Sequence, residues 1–211
     1  MTESRVKTTL LEDAVIAENQ ETTKTGAQSL APGHSPRRAY QETMLPVRGL
    51  VEAGASMQQS VEEFLFYQAE LLDGQHWQAY VDLFREDGIY WAPVTKEQTE
   101  WLDSPSIFAE DKNMLQVRLE RITHPNAWSQ AAEWALSHMV GSVVIESASE
   151  TEVQTRSRFQ VMELRRDNIR HFGGTYRHTL IREGKDWKIK LQRVDIVNGQ
   201  APYDYVIQAW L

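Results

Sequence analysis

Apolar residues recur at helical spacing from residue 60 onwards, and this pattern predicts a first amphipathic helix. Ser60 is placed to cap this helix, because Glu63 follows three residues later as in a capping box. Asp73 and Gly74 end it. Its apolar positions are Val61, Phe64, Leu65, Leu71 and Leu72. One side of this helix is therefore expected to pack on a core.

A second apolar stripe predicts a second helix, which ends in the turn at residues 86–88. The stripe consists of Trp77, Tyr80, Val81 and Phe84. Residues 89–94, IYWAPV, then predict a short strand closed by Pro93. Residues 95–112 are acidic and predict a loop with a helical turn. The sequence KNMLQVRLERITHP, residues 112–125, favours a third helix or a helix followed by a strand.

Beyond residue 135 apolar and polar residues alternate, which predicts four long antiparallel strands. These strands are expected within residues 136–147, 152–168, 169–183 and 187–198. Gly173 and Gly174 interrupt the third of them and predict a β-bulge. Helices followed by a run of strands are typical of the α+β class. The pattern therefore predicts a cone-like fold, with about three N-terminal helices packed on a strongly curved, mainly antiparallel sheet.

Residues 1–58 differ in composition from the rest of the chain. They are rich in Thr, Ser, Pro and Gly and show little apolar periodicity, which is typical of a flexible extension. The stretch AYQETMLPVRGLV, residues 39–51, still contains enough apolar residues to dock on a neighbouring subunit. We therefore divide the chain into a flexible or partner-docking arm, residues 1–58, and an α+β domain, residues 59–211.

The composition narrows the classes of function. No apolar run approaches the ~20 residues of a membrane-spanning helix, and the first 20 residues lack the apolar core of a secretory signal. We therefore expect a cytoplasmic protein without a membrane partner. The 211 residues include no cysteine, which excludes disulfides, thiolate nucleophiles and iron–sulfur clusters in this chain. Any redox metal is expected in another chain.

Charge is distributed unevenly along the domain. Residues 61–155 carry 5 basic and 17 acidic side chains, whereas residues 156–193 carry 11 basic and 4 acidic ones. A nucleic-acid-binding sheet would present exposed aromatic residues among these basic side chains. Here the aromatic residues fall mostly on the apolar side of the alternation. The pattern therefore favours a solvated or partner-facing surface, and no nucleic acid is expected.

Residues 66–94 bring together the side-chain types of general acid–base catalysis. Asp82 or His76 could serve as the base, and Tyr67 or Tyr90 as the hydrogen-bond donor. Periodicity weakens this hypothesis, because Asp82 lies about 100° from Val81, toward the edge of the helical stripe rather than its centre. The neighbouring acids Asp73 and Asp87 occupy a helix end and a turn, where Asp is common. We therefore expect these residues to be mainly structural.

The histidines do not form a metal motif. Six are present, at positions 34, 76, 124, 138, 171 and 178, and no pair has the local spacing of a metal site. His171 and His178 are seven residues apart on one predicted strand, so they should face opposite sides of the sheet. We therefore expect neither a metal nor a cofactor in this chain.

Four stretches together resemble the small (beta) subunit of bacterial aromatic-ring-hydroxylating dioxygenases, which are Rieske non-haem iron enzymes. They are FLFYQAELLDGQHWQAYVDLFREDGIYWAPV, SHMVGSVVIE, TRSRFQVMELRRDN and GKDWKIKLQRVDIVNGQAPYDYVIQAWL, within residues 61–211. The resemblance implies a fold like that of nuclear transport factor 2. It also implies a large alpha partner, commonly in an α3β3 hexamer, that holds a Rieske [2Fe-2S] cluster and a mononuclear Fe(II).

The resemblance further implies that the alpha subunit inserts both atoms of dioxygen into an aromatic ring as a cis-diol. Electrons would come from NAD(P)H through a reductase, with or without a ferredoxin. The present chain would then be a non-catalytic structural subunit. The alternative is a stand-alone cone-fold dehydratase or isomerase that uses Asp82 and His76 with Tyr67 or Tyr90, and it requires an open interior cavity.

The final residues of the sequence carry large apolar side chains that need a cover. We expect Tyr205, Trp210 and Leu211 to dock on a partner subunit.

Overall fold

The computed structural model describes residues 55–102, 104–124, 126–127, 134–165, 167–203 and 206–211. Of the predicted arm, residues 1–58, the part up to residue 54 lies outside the described residues, and Met57 and Gln58 already belong to the first helix. Three helices are present: α1 (Met57–Asp73), α2 (Trp77–Val81) and α3 (Lys112–Thr123). Six strands accompany them: β1 (Phe84–Pro93), β2 (Ser106–Asp111), β3 (Trp134–Ala148), β4 (Glu152–Arg165), β5 (Asn168–Glu183) and β6 (Asp186–Ile196).

Helix α1 begins earlier than the pattern predicts, so the assignment of Ser60 as its cap was wrong. Ser56 is the N-cap: its hydroxyl accepts a hydrogen bond from the Gln59 amide, and the Gln59 side chain accepts one from the Ser56 amide. The Ser60 hydroxyl instead accepts a hydrogen bond from Trp187 Nε1 at 3.0 Å. Ser60 therefore links α1 to β6 instead of capping the helix.

The chain between α1 and α3 also differs from the prediction. Helix α2 ends at Val81, and Phe84 already belongs to β1, where it pairs with Ile189 of β6. Strand β2 was missed, because residues 95–112 resemble an acidic loop. Helix α3 was predicted correctly, and Asp111 caps it by accepting a hydrogen bond from the Met114 amide at 2.8 Å.

The six strands form one sheet in the order β2-β1-β6-β5-β4-β3. Every neighbouring pair is antiparallel except β1 and β6, which are parallel. The four strands predicted beyond residue 135 are confirmed, and so is the α+β class. The predicted bulge was wrong, because Gly173 and Gly174 pair with β4 without a change of register. Gly174 is required because a Cβ there would overlap the carbonyl oxygen of Asp195.

The three helices cover one face of this sheet, which we call the inner face, and the core lies between them. Phe159, Phe172, Tyr176 and Trp187 are buried there, as the alternation predicts. Four residues of the final segment, Ile207, Ala209, Trp210 and Leu211, are buried in the same core. Among the described residues, none of the helices has the length and apolar character needed to cross a membrane.

Candidate functional site in the interior

The residues of the acid–base hypothesis lie in different environments. His76 is buried at the start of α2, and Tyr67 is half-buried. Asp82 is exposed and accepts a hydrogen bond from Gln78 Nε2 at 2.9 Å. Tyr90, in contrast, is completely buried on β1. The structure therefore does not bring Asp82 into the interior, where a base paired with Tyr90 would have to act.

A row of buried polar residues crosses the inner face of the sheet instead. Each member pairs with the next across neighbouring strands, from β4 through β5, β6 and β1 to β2. We call these residues the polar row: Thr155, His178, Gln192, Tyr90 and Glu110. Such groups cost free energy when they are buried without hydrogen bonds. The hydrogen-bond partners of these side chains therefore determine whether any of them is free to act on a ligand.

Gln192 is the centre of this row. Its side-chain oxygen accepts hydrogen bonds from Gln68 Nε2 at 2.8 Å and from the Tyr80 hydroxyl at 3.0 Å. Burial raises the pKa of Tyr80 well above its ordinary value, and burial raises the pKa of Tyr90 as well. Both phenols therefore stay neutral near pH 7. In this form the Tyr80 hydroxyl donates to Gln192, and the Tyr90 hydroxyl accepts a hydrogen bond from the Leu211 amide.

The final segment, residues 206–211, occupies the space beside the polar row. The Leu211 amide donates to the Tyr90 hydroxyl at 3.1 Å, and Trp210 Nε1 donates to Glu110 Oε2 at 3.2 Å. A guanidinium nitrogen of Arg118 also donates to the carbonyl of Gln208 at 3.3 Å. The space beside the polar row is therefore filled by residues of the chain itself.

This position bears directly on the predicted interface residues. Trp210 is 0% exposed and Leu211 is 1% exposed, so both side chains are used in the chain's own core. They have no exposed surface to offer a partner. Tyr205 lies outside the described residues. The sequence shows correctly that Trp210 and Leu211 need a cover, but their cover belongs to the same chain.

Asp73 and His138 form a pair that the sequence analysis missed. The Asp73 carboxylate accepts hydrogen bonds from the His138 amide at 2.8 Å and lies 2.5 Å from its Nδ1. No local sequence pattern reveals a contact between two residues that are 65 positions apart. His138 Nε2 has no hydrogen-bond partner among the described residues, and the adjoining gap under α1 is too narrow for a water molecule. The pair therefore ties the end of α1 to β3.

The remaining histidines of the sheet give no metal site. His171 is exposed and His178 is buried, which confirms their opposite faces on β5. Burial lowers the pKa of His178 to about 3, so this imidazole is neutral at pH 7. Within the described part of the chain, no three His, Asp or Glu residues are grouped as a metal would require.

An open cleft lies at the C-terminal ends of β1 and β6. It has a volume of about 230 Å³ and is formed mainly by residues 93–97 and 195–201. Its buried carboxylate, Asp195, is already paired with Arg193 at 2.8 Å and lies 3.6 Å from Arg177. Asp195 is therefore not a free base, and the other charged side chains of the cleft, Lys96 and Glu97, belong to the loop after β1.

Known proteins with similar structures share this architecture. The beta subunit of benzoate 1,2-dioxygenase from Burkholderia mallei superposes with a TM-score of 0.60 at 22% identity, covering 74% of this chain and all of that one. A Novosphingobium aromaticivorans protein provisionally described as a scytalone dehydratase gives a TM-score of 0.52 at 20% identity, over 72% of this chain and 89% of that one. These likenesses concern the fold, and they confirm the predicted cone architecture.

Sequence comparison identifies the family. The beta subunit of biphenyl 2,3-dioxygenase from Rhodococcus jostii RHA1 is 24% identical over 177 residues, which cover 79% of this chain and 91% of that protein. The sequence profile of the family described as "ring hydroxylating beta subunit" matches residues 67–201, well over half of the chain. This protein therefore belongs to the family of beta subunits of aromatic-ring-hydroxylating dioxygenases.

Proposed function

We propose that this chain is a non-catalytic structural subunit of a multicomponent aromatic-ring-hydroxylating dioxygenase. The observation that carries the proposal is the filled interior: Trp210 and Leu211 occupy the space beside the polar row, and Asp82 lies outside it. The same observation argues against a stand-alone dehydratase or isomerase, since such an enzyme needs a pocket for its substrate.

The residue types that bind a Rieske cluster also support a non-catalytic role for this chain. A Rieske cluster needs two cysteine thiolates and two imidazoles, and this sequence has no cysteine. The residues of this chain therefore do not fit the cluster. The cluster and the mononuclear iron would belong to a large alpha subunit, with electrons supplied from NAD(P)H through a reductase and, in some systems, a ferredoxin. The assembly would be an α3β3 hexamer in the cytoplasm.

An exposed apolar patch on the outer face of the sheet is consistent with assembly. It is formed by Met139, Met162, Leu164 and Ile169 on β3, β4 and β5, and Met139 is 71% exposed. Leu164 and Ile169 are direct cross-strand partners, so the patch is continuous there. Contiguous exposed apolar side chains are characteristic of subunit interfaces. We propose that the large subunit covers this patch.

Co-purification tests the proposal. A tagged chain isolated from its native cells should bring with it a larger protein, together with iron and acid-labile sulfide. The particle mass should correspond to three copies of each subunit. An iron-free homo-oligomer with turnover of its own would contradict the structural role.

A pair of variants tests the outer patch. Leu164→Lys places a charge within the patch and should reduce recovery of the large subunit. Gln154→Lys adds the same charge on the same face of β4, ten residues away, and should leave recovery unchanged. Equal recovery with both variants would remove the patch from the interface.

A further inference from the structure

We infer that the interior beside α2 and β2 is a binding pocket for a flat aromatic molecule with one N–H group, and that the Trp210 indole is its resident ligand. Trp210 and the residues around it all belong to this chain, so the assignment is independent of the proposed role in a dioxygenase.

The walls of the pocket contact the indole ring on its apolar surfaces. The ring centroid of Trp210 lies 5.2 Å from that of Tyr80 and 5.9 Å from that of Trp77, with both ring pairs tilted. These separations lie within the range of favourable aromatic pairs. The guanidinium carbon of Arg118 lies 5.9 Å from the indole centroid, near the limit for a cation–π contact.

The polar anchor of the pocket is a carboxylate that does not depend on Trp210 for its position. Glu110 receives the indole N–H through Oε2 at 3.2 Å. Arg118 Nε shares its one hydrogen between the two oxygens of the same carboxylate, at 2.8 and 3.0 Å, and Arg118 Nη2 also donates to Glu110 Oε1. Arg118 in turn packs 4.2 Å above the ring of Phe108. Without the indole, Glu110 would remain paired and oriented, which is the preorganisation that a binding site requires.

The ligand and the walls belong to separate parts of the chain. The walls named above come from residues 77–118, whereas the indole is delivered by residues 206–211, which form neither helix nor strand. Val206, at the start of that segment, is 71% exposed. Trp210→Ala would therefore remove the occupant without changing any residue of the walls.

The test uses the full chain with the substitution Trp210→Ala. The cavity left behind should be of the order of the 150 Å³ cavity that binds benzene in another protein interior. Titration calorimetry with indole and with indene, its isostere without N–H, measures the preference. We expect indole to bind about tenfold more tightly or better, because only indole donates to the charged acceptor. The unsubstituted chain should bind neither molecule at the same concentrations.

Two controls separate the carboxylate from the cavity. Phe159→Ala removes a different buried ring, stacked on Tyr176 at 4.1 Å, and should give a cavity without a preference for indole. Glu110→Gln combined with Trp210→Ala should reduce the preference several-fold, since a neutral amide oxygen replaces the charged acceptor.

The result is decisive whether or not the variant folds unaided. If Trp210→Ala is unfolded, indole should restore its cooperative thermal transition at an about tenfold lower concentration than indene, because a ligand of the folded state stabilises that state according to its affinity. Equal effects of the two molecules, or no effect of either on the folded or the unfolded variant, would overturn the inference.

Discussion

Gln192 should be among the most sensitive positions in the protein, although it is a single neutral residue. Its side chain is completely buried on β6 and joins three parts of the molecule. Its oxygen accepts from Gln68 of α1 and Tyr80 of α2, and its Nε2 lies 3.4 Å from the carbonyl of Leu211. Gln192→Leu keeps the approximate shape of the side chain and removes all three contacts.

The magnitude follows from the donors that this substitution leaves behind. Gln68 Nε2 and the Tyr80 hydroxyl would both lose their acceptor inside the core, at about 1–3 kcal/mol each. Gln192→Leu should therefore lower the free energy of unfolding by about 2–6 kcal/mol. Adding Gln68→Leu should recover about 1–3 kcal/mol of this loss, because it removes one orphaned donor. It also removes Gln68 Oε1, which has no hydrogen-bond partner among the described residues.

Urea unfolding of the purified chain, followed by circular dichroism, measures these free energies. Gln154→Leu, at an exposed position of β4, is the matched control and should change stability by less than about 0.5 kcal/mol. If Gln192→Leu were as mild as this control, or if the Gln68 and Gln192 substitutions were simply additive, the hydrogen-bond argument would be refuted.

Three further predictions concern single positions. Gly174→Ala should destabilise the protein by about 1–3 kcal/mol in the same unfolding assay, because a Cβ there meets backbone, whereas Gly141→Ala has open space and should be nearly neutral. His178 has a pKa of about 3 when folded and an ordinary value of 6.5, so the stability that it contributes is complete above about pH 6.5 and is lost as the pH falls toward 3. His178→Leu should therefore flatten the fall in stability between pH 6.5 and pH 4, and an unchanged slope would refute this. Asp73→Ala should speed hydrogen exchange of the His138 amide and lower the free energy of unfolding by about 1–3 kcal/mol, because that amide loses its acceptor. Unchanged exchange would show that the pair does not hold β3.

Local sequence patterns predict correctly those helices and strands whose conformation is determined by their own residues. The alternation beyond residue 135 fixes four strands, because each of them presents one apolar side to the core. Helices α1 and α3 follow from their apolar spacing in the same way. Ser60 shows the limit of this reasoning: it and Ser56 both precede a polar residue three positions later, and only the contact with Trp187 separates their roles.

The features that were missed depend on contacts between distant residues. Strand β2 forms by pairing with β1, and its own residues carry no clear strand signal. The buried contact of Trp210 with Glu110 joins residues 100 positions apart, and that of Leu211 with Tyr90 joins residues 121 apart. A large apolar residue near a chain end looks the same in sequence whether its cover is a partner or its own core. The interior site could therefore be recognised only from the folded structure.

The parallel pairing of β1 with β6 has a consequence for the order in which the molecule folds. Strands β3 to β6 are joined as successive antiparallel neighbours, so their contacts close short loops. The pairing of Tyr90 with Gln192 must instead close a loop of about 100 residues, which raises the contact order and slows its formation. We expect β4 and β5 to gain amide protection early in refolding. Strands β1 and β2 and the helical layer should join them in a later, slower phase.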